Sequence, residues 1–264
     1  MRLFSVTIAS LSLVFVLNGC RKSDRNNDTD TTYVEDLGNA HCALFEVFFA
    51  VHEANLSTPG IRSFLSCATL TADTLGNPKS LIVDFGTTGC VSPSGRNRTG
   101  KIIVYQTGNY SIPGSTSTVY FDSFYINGYN YSSSFKLTTT ASGYLIQPNN
   151  LKITSSDSSF FYTCSGSYTL VFSNGYATTL ADDDEFTVTG SMNFTGRNGN
   201  SGLSTVVNGS DLLVKAVCAE VVSGQLKVEP NGLAQRDLDF GTGLCDKSIS
   251  ATINNESFTL SIGF

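Results

Sequence analysis

From residue 67 onward, apolar side chains recur at every second position. Phe186, Val188, Gly190, Met192 and Phe194 alternate with Thr187, Thr189, Ser191, Asn193 and Thr195, so one face of that strand is buried and the other is rich in hydroxyls. Val222, Leu226 and Val228 alternate in the same way with Ser223, Gln225, Lys227 and Glu229. Phe258, Leu260, Ile262 and Phe264 close the chain in the same rhythm. Before this region the period is different. Between Glu35 and Ala54 the apolar positions Leu37, Ala40, Leu44, Phe48, Val51 and Ala54 stand three or four apart, the spacing of one helical stripe. Val47 to Val51 also suits a strand, and Pro59-Gly60 ends the helix. Beyond residue 67, five Asn-Gly pairs, at Asn127, Asn174, Asn198, Asn208 and Asn231, mark tight turns, because both residues tolerate positive φ. About a dozen strands fall between the turns. The pattern predicts a mainly β fold with one N-terminal helix, an antiparallel meander forming a sandwich or an open barrel, the sandwich being the first choice.

One stretch occurs twice. Leu81-Ile82-Val83-Asp84-Phe85-Gly86-Thr87-Thr88-Gly89-Cys90 returns 155 positions later as Asp237-Leu238-Asp239-Phe240-Gly241-Thr242-Gly243-Leu244-Cys245. Cys67-Ala68 and Cys218-Ala219 stand upstream of the two copies. Related end units over 66–109 and 217–264 follow, with residues 110–216 bridging them. In an exported chain the cysteines read as disulfides, and an equivalent pair in each copy joins Cys67 to Cys90 and Cys218 to Cys245. Cys42 and Cys164 either pair with each other or stay buried as free thiols.

The first residues set the compartment. Arg2 is followed by an uncharged apolar run from Leu3 to Leu17. That is an export signal over residues 1–19, short of the roughly 20 residues that span a bilayer. Leu17-Asn18-Gly19-Cys20 resembles the bacterial lipobox, which implies cleavage before Cys20 and acylation (palmitate-type chains) of that residue, hence a stable membrane tether. Residues 20–34 read as a disordered stalk, 35–60 as the helical segment and 61–264 as the β domain. Without Arg2 the chain has 15 basic and 22 acidic side chains, so no basic face is left for nucleic acid.

Asp84-Phe85-Gly86-Thr87 with Cys90, the stretch Gly95 to Val104, Thr107-Gly108-Asn109-Tyr110, Pro113-Gly114-Ser115 and the closing Asp239 to Asp246 together resemble a family of envelope lipoproteins from Bacteroidetes bacteria. The likeness runs from about residue 66 to the end. Phe240 stands where such relatives tend to carry tyrosine, and the chain has no tryptophan. The resemblance implies an outer-membrane location and a β fold, and adds nothing about chemistry.

Candidate chemistry is sparse. Asp-Phe-Gly lacks the other kinase motifs, so Asp84 and Asp239 read as caps of glycine turns. Asp182-Asp183-Asp184-Glu185 reads as a solvated loop, short of the oxygens that calcium needs. His41 and His52, about 16 Å apart along a helix, do not share a metal. No metal set or cofactor is expected. Arg96, Arg98 and Lys101 read as a solvated hairpin. Tyr120, Tyr125, Tyr129 and Tyr131, with Phe121 and Phe124, crowd the turn at Asn127 and are either core or a patch that binds sugar rings or a partner. Among the acids, Asp122, Asp184, Glu185 and Asp239 are eligible for paired-carboxylate glycan hydrolysis.

The first functional expectation is therefore a lipid-anchored envelope protein acting as a non-catalytic binding or structural module, with a glycan or an envelope protein as partner. The alternatives are an extracytoplasmic glycan hydrolase, marked by two carboxylates in one deep cleft, and an adhesive subunit associating through a strand edge.

Overall fold

The computed structural model describes residues 27–56, 64–178 and 180–263. The proposed signal, Cys20 and Pro59-Gly60 lie outside them. One helix, α1 (Thr32–Leu56), is followed by fifteen strands in a single antiparallel sheet. The first end unit holds β1 (Thr69–Asp73), β2 (Lys79–Asp84), β3 (Cys90–Val91) and β4 (Asn97–Gln106). The middle holds β5 (Thr116–Ile126), β6 (Tyr129–Thr139), β7 (Gly143–Thr154), β8 (Phe161–Asn174), β9 (Glu185–Thr195), β10 (Ser201–Val206) and β11 (Leu212–Lys215). The second end unit holds β12 (Glu220–Pro230), β13 (Arg236–Thr242), β14 (Ser248–Ile253) and β15 (Glu256–Ser261).

Strand order follows the chain as a meander, apart from β3, which pairs with β4, and β11, which bridges β9 and β12. All five Asn-Gly pairs lie at strand ends or between strands. At the β5–β6 tip both turn residues take positive φ, 48° at Asn127 and 84° at Gly128, the tight-hairpin geometry.

The sheet curls around α1, which touches β2 and β4 as well as β8 and β12. The single wrapped sheet is thus the open-barrel form of the expected fold, with the helix as its filling. Of the 25 helix residues only Leu56 is exposed. The one-stripe reading is corrected here: the side of α1 away from the stripe is buried too. The polar residues of α1, Asp36, His41, Glu46, His52 and Glu53, are all at most 3% exposed, and buried polar groups need partners. Asp36 accepts from Arg197, from its backbone N at 2.8 Å and its Nε at 2.7 Å. Glu53 accepts the backbone N–H groups of Phe64 and Leu65 at 3.1 and 2.6 Å. Neutral His41 donates from Nδ1 to the Leu37 carbonyl at 2.8 Å and accepts the Tyr168 hydroxyl at Nε2 at 2.7 Å.

Glu46 corrects the reading of the basic cluster as a solvated hairpin. Arg96 and Arg98 are 1% and 0% exposed, whereas Lys101 is 44% exposed. Arg96 donates to Glu46 at 2.9 Å and to Glu220 at 2.6 Å. Burial alone would lower the Arg96 pKa, and the neighbouring acids more than offset it, so the guanidinium is held above its ordinary value. Arg98, 3.5 Å from Glu46, is pulled down by burial to about 10, with Glu46 and Glu53 opposing. Its guanidinium also lies 4.7 Å from the Phe64 ring and 4.6 Å from the Phe85 ring. Arg96 ties the first end unit to β12 of the second, and Lys247 Nζ adds a bond to the Ser94 carbonyl at 3.1 Å. These contacts close the seam between the two ends of the sheet.

The expected stalk over 20–34 also needs correction at its C-terminal end. The Asp28 carboxylate meets fully buried Arg236 at 2.7 Å and accepts the Ala234 N–H at 2.9 Å. Arg236 reaches the Asp30 carbonyl at 3.2 Å, and α1 begins at Thr32. A buried guanidinium requires these oxygens, so the chain is docked from Asp28 onward.

The two end units share local geometry. Asp84 Oδ1 accepts the Gly86 N–H, and Asp239 Oδ1 accepts the Gly241 N–H, both at 2.8 Å. Gly86 and Gly241 have φ of 71° and 83°, where a side chain would be strained. Phe85 and Phe240 enter the core at 3% and 1% exposure. Cys67 is joined to Cys90 and Cys218 to Cys245, with Cα atoms 5.6 and 6.0 Å apart. Cys42 and Cys164 are free and buried, and burial pushes both thiols up to about 12.

Candidate functional site

A cleft opens where α1 ends. His52 sits in the last turns of the helix, Tyr110 on the β4–β5 connection, Tyr144 at the start of β7 and Asp184 immediately before β9. Each is set by its own element. The Thr139 hydroxyl holds the Tyr110 carbonyl at 2.5 Å. Asp184 follows a one-turn 3-10 helix, Ala181–Asp183, and its carbonyl accepts the Ala216 N–H at 2.9 Å. Its side chain presses on Gly175, where a Cβ would collide with Oδ1. Glycine at 175, with φ of 84°, both makes the turn after β8 and leaves that oxygen uncovered.

Three of these side chains form a chain of hydrogen bonds. His52 Nε2 donates to Asp184 Oδ2 at 2.7 Å, and His52 Nδ1 lies 3.0 Å from the Tyr110 hydroxyl. Tyr144 packs beside Tyr110. Burial raises the pKa of both tyrosines, so they remain protonated and polar. The rings are packed as well: Tyr110 stacks on Tyr144 at 5.2 Å, Tyr144 lies 5.8 Å from Phe172, and Phe172 meets Tyr176 edge-on at 5.2 Å.

The cavity holds about 280 Å³ and is lined by Asp184, Tyr144, Phe172 and Tyr176, with Ser111 and Thr140 at its rim. Asp184 is 3% exposed and Tyr176 73%, so the cleft has a buried polar floor and an open aromatic side. Two further grooves lie on the outer face of the sheet. One of about 320 Å³ crosses Asn150, Ser165, Asn193 and Glu229. The other, of about 530 Å³, crosses Gln225, Lys227, Asp237 and Asp239.

The acids named from sequence do not converge. Asp122 is exposed on β5. Glu185 faces Lys215 at 3.4 Å, and Asp239, besides capping its turn, accepts from Gln225 at 2.9 Å. The solvated-loop reading of Asp182 to Glu185 fails at Asp184, which points inward to His52. The tyrosines around Asn127 divide: Tyr120 and Tyr125 are 43% and 37% exposed, Tyr129 is half-buried beside Phe160, and Tyr131 is 2% exposed. None of the four lines the cleft at the end of α1. Among the described residues, no group of three or more His, Cys, Asp or Glu is placed to hold a metal ion.

Sequence reasoning missed Tyr110, Tyr144 and the pairing of His52 with Asp184. One signal was present: Asp184 is in phase with Phe186 and Val188, the inward positions of β9.

No family model, curated protein or solved structure matches this chain.

Proposed function

We propose that this chain is an extracytoplasmic lipoprotein, tethered to the outer membrane through acylated Cys20, which acts as a non-catalytic binding module with the cleft at the end of α1 as its ligand site. The signal-like run up to Leu17 and the lipobox-like Leu17 to Cys20 support the tether. Two disulfides suit an oxidising compartment. No described helix is long and apolar enough to cross a membrane.

The observation that carries the binding reading is the cleft itself, in which aromatic rings surround a buried carboxylate already fixed by His52. Glycoside cleavage calls for a second carboxylate roughly 5–9 Å from the first. Glu185, next to Asp184 in the chain, instead faces Lys215, and among the described residues Asp184 is the one acid lining that cleft.

The test is protease shaving of intact cells, probing for the β domain, with Cys20→Ala as control. The expected result is a membrane-bound chain that Cys20→Ala releases. Loss of the domain from intact cells places it on the outer surface, and protection until the outer membrane is opened places it in the periplasm. A Cys20→Ala chain still held by the membrane, or a chain found in the cytoplasm, refutes the tether.

A further inference from the structure

We propose that the cleft at the end of α1 binds one neutral pyranose ring of a glycan, stacked on Tyr176 and hydrogen-bonded to Asp184. The proposal rests on the binding-module reading and names the ligand class of that same site.

Size comes first. About 280 Å³ lies at the lower limit of the roughly 300–1,000 Å³ typical of ligand pockets, which suits one ring and not an extended chain. A longer glycan would enter by a terminal residue.

The wall and floor then divide the work. Tyr176 is 73% exposed, and its ring meets Phe172 edge-on. An aromatic ring held at a cleft mouth with a face to solvent suits the C–H face of a sugar ring. At the floor, Asp184 is 3% exposed and fixed through Oδ2 by His52 at 2.7 Å. Oδ1 rests against Gly175, which has no side chain to cover it. That oxygen is a preorganised acceptor for a ring hydroxyl. The Tyr144 hydroxyl, on a ring that also lines the cleft, can donate or accept.

Charge narrows the class. Among the described residues no lysine or arginine lines the cleft, so none of them offsets the carboxylate of a uronic acid or a sulfate ester, and Asp184 repels both. A quaternary ammonium head would use the same carboxylate and rings, but it has no N–H to give the hydroxyls of Ser111 and Thr140 at the rim. Hydroxyls on the ligand use both the floor and the rim.

The experiment is ligand-observed saturation-transfer NMR on the mature chain carrying Cys20→Ala, with the methyl pyranosides of glucose, galactose, mannose and N-acetylglucosamine, and choline as the cationic comparison. At least one pyranoside should receive saturation at its ring C–H protons. Tyr176→Ala, at an exposed site that leaves the melting temperature unchanged, should weaken that ligand about tenfold, the size of one aromatic contact. Asp184→Asn should weaken it further. A pyranoside bound equally well by Tyr176→Ala overturns the assignment to this cleft. Tyr176-dependent binding of choline without any pyranoside overturns the ligand class. Silence from every pyranoside overturns the proposal, while the tether stands or falls separately on the shaving experiment.

Discussion

Arg96 and Lys101 lie in one short basic run and differ completely in the structure, which makes them a matched pair for testing what holds the wrapped sheet closed. Arg96→Met removes the guanidinium that bridges Glu46 at 2.9 Å and Glu220 at 2.6 Å. The acids left behind are 0% and 3% exposed. Burial already pushes the Glu220 carboxyl upward, against the pull of Arg96, so without Arg96 that acid is left buried and unpaired. Breaking a buried ion pair from one side costs about 3–5 kcal/mol. In a chain of this length each kcal/mol moves the midpoint by about 2–4 °C, so Arg96→Met should lower it by roughly 6–20 °C. Lys101→Met breaks only the 3.2 Å contact to Asp84, with partners 44% and 34% exposed, and should cost no more than about 1 kcal/mol. Urea unfolding of the Cys20→Ala chain, disulfides intact, measures both at constant m. Equal losses from the two variants, or a loss below about 1 kcal/mol from Arg96→Met, would refute the seam.

Acid should weaken the fold through His41. Burial lowers its pKa from 6.5 to about 4, so the folded state binds that proton less readily than the unfolded one. The contribution, roughly 3 kcal/mol, is complete above about pH 6.5 and is lost as pH falls toward 4. Glu220, raised by burial, acts with the opposite sign. Urea midpoints from pH 7 to 4.5 should therefore fall more steeply in the parent than in His41→Gln, and parallel curves would contradict this. Replacing both cysteines of either disulfide by alanine should cost about 3 kcal/mol, nearly equally for the two, since they close 23 and 27 residues; a loss confined to one staple would show that the repeated units are not equivalent in stability. In the Cys20→Ala chain a thiol reagent should find two thiols, Cys42 and Cys164, and only in denaturant, because both are buried and pushed up to about 12. Rapid labelling of either in the native protein would contradict their burial.

The strands, the turns and the repeated unit were legible because each is a local pattern. A period of two survives any tertiary arrangement, and Asn-Gly marks a turn whatever it packs against. The buried charges were not legible as such, although their phase was. Arg98 is in step with Ile102 and Val104, Arg236 with Leu238 and Phe240, and Asp184 with Phe186 and Val188, all inward positions. Charge was read as exposure, where in-phase charge meant a buried partner. The partners lie far away in sequence: Arg96 is 50 residues from Glu46 and 124 from Glu220. For the same reason one stripe of α1 was visible and its burial on every side was not, since its polar side is satisfied residue by residue from distant strands.

The aromatic hairpin shows how a single irregularity moves a candidate site. Around Asn127 the rings occupy both odd and even positions, which in a regular strand would make both faces aromatic. In β5 the register shifts between Tyr120 and Tyr125, and Ser123 takes a φ of 48°. Before the bulge Val119 points inward, and after it Phe124 and Ile126 do. Phe121 and Phe124, of opposite parity, therefore stack on one side at 5.6 Å. Gly100, with φ of 78°, lets the neighbouring strand approach the bulge, since a Cβ there would collide with the Ser123 carbonyl. The bulge thus gives most of the hairpin's rings to the core. At the end of α1, by contrast, Asn174-Gly175 turns the chain so that Tyr176 stays in solvent beside a buried carboxylate. There the backbone sets an exposed aromatic ring against a fixed polar group, and none of the four hairpin tyrosines lines that cleft.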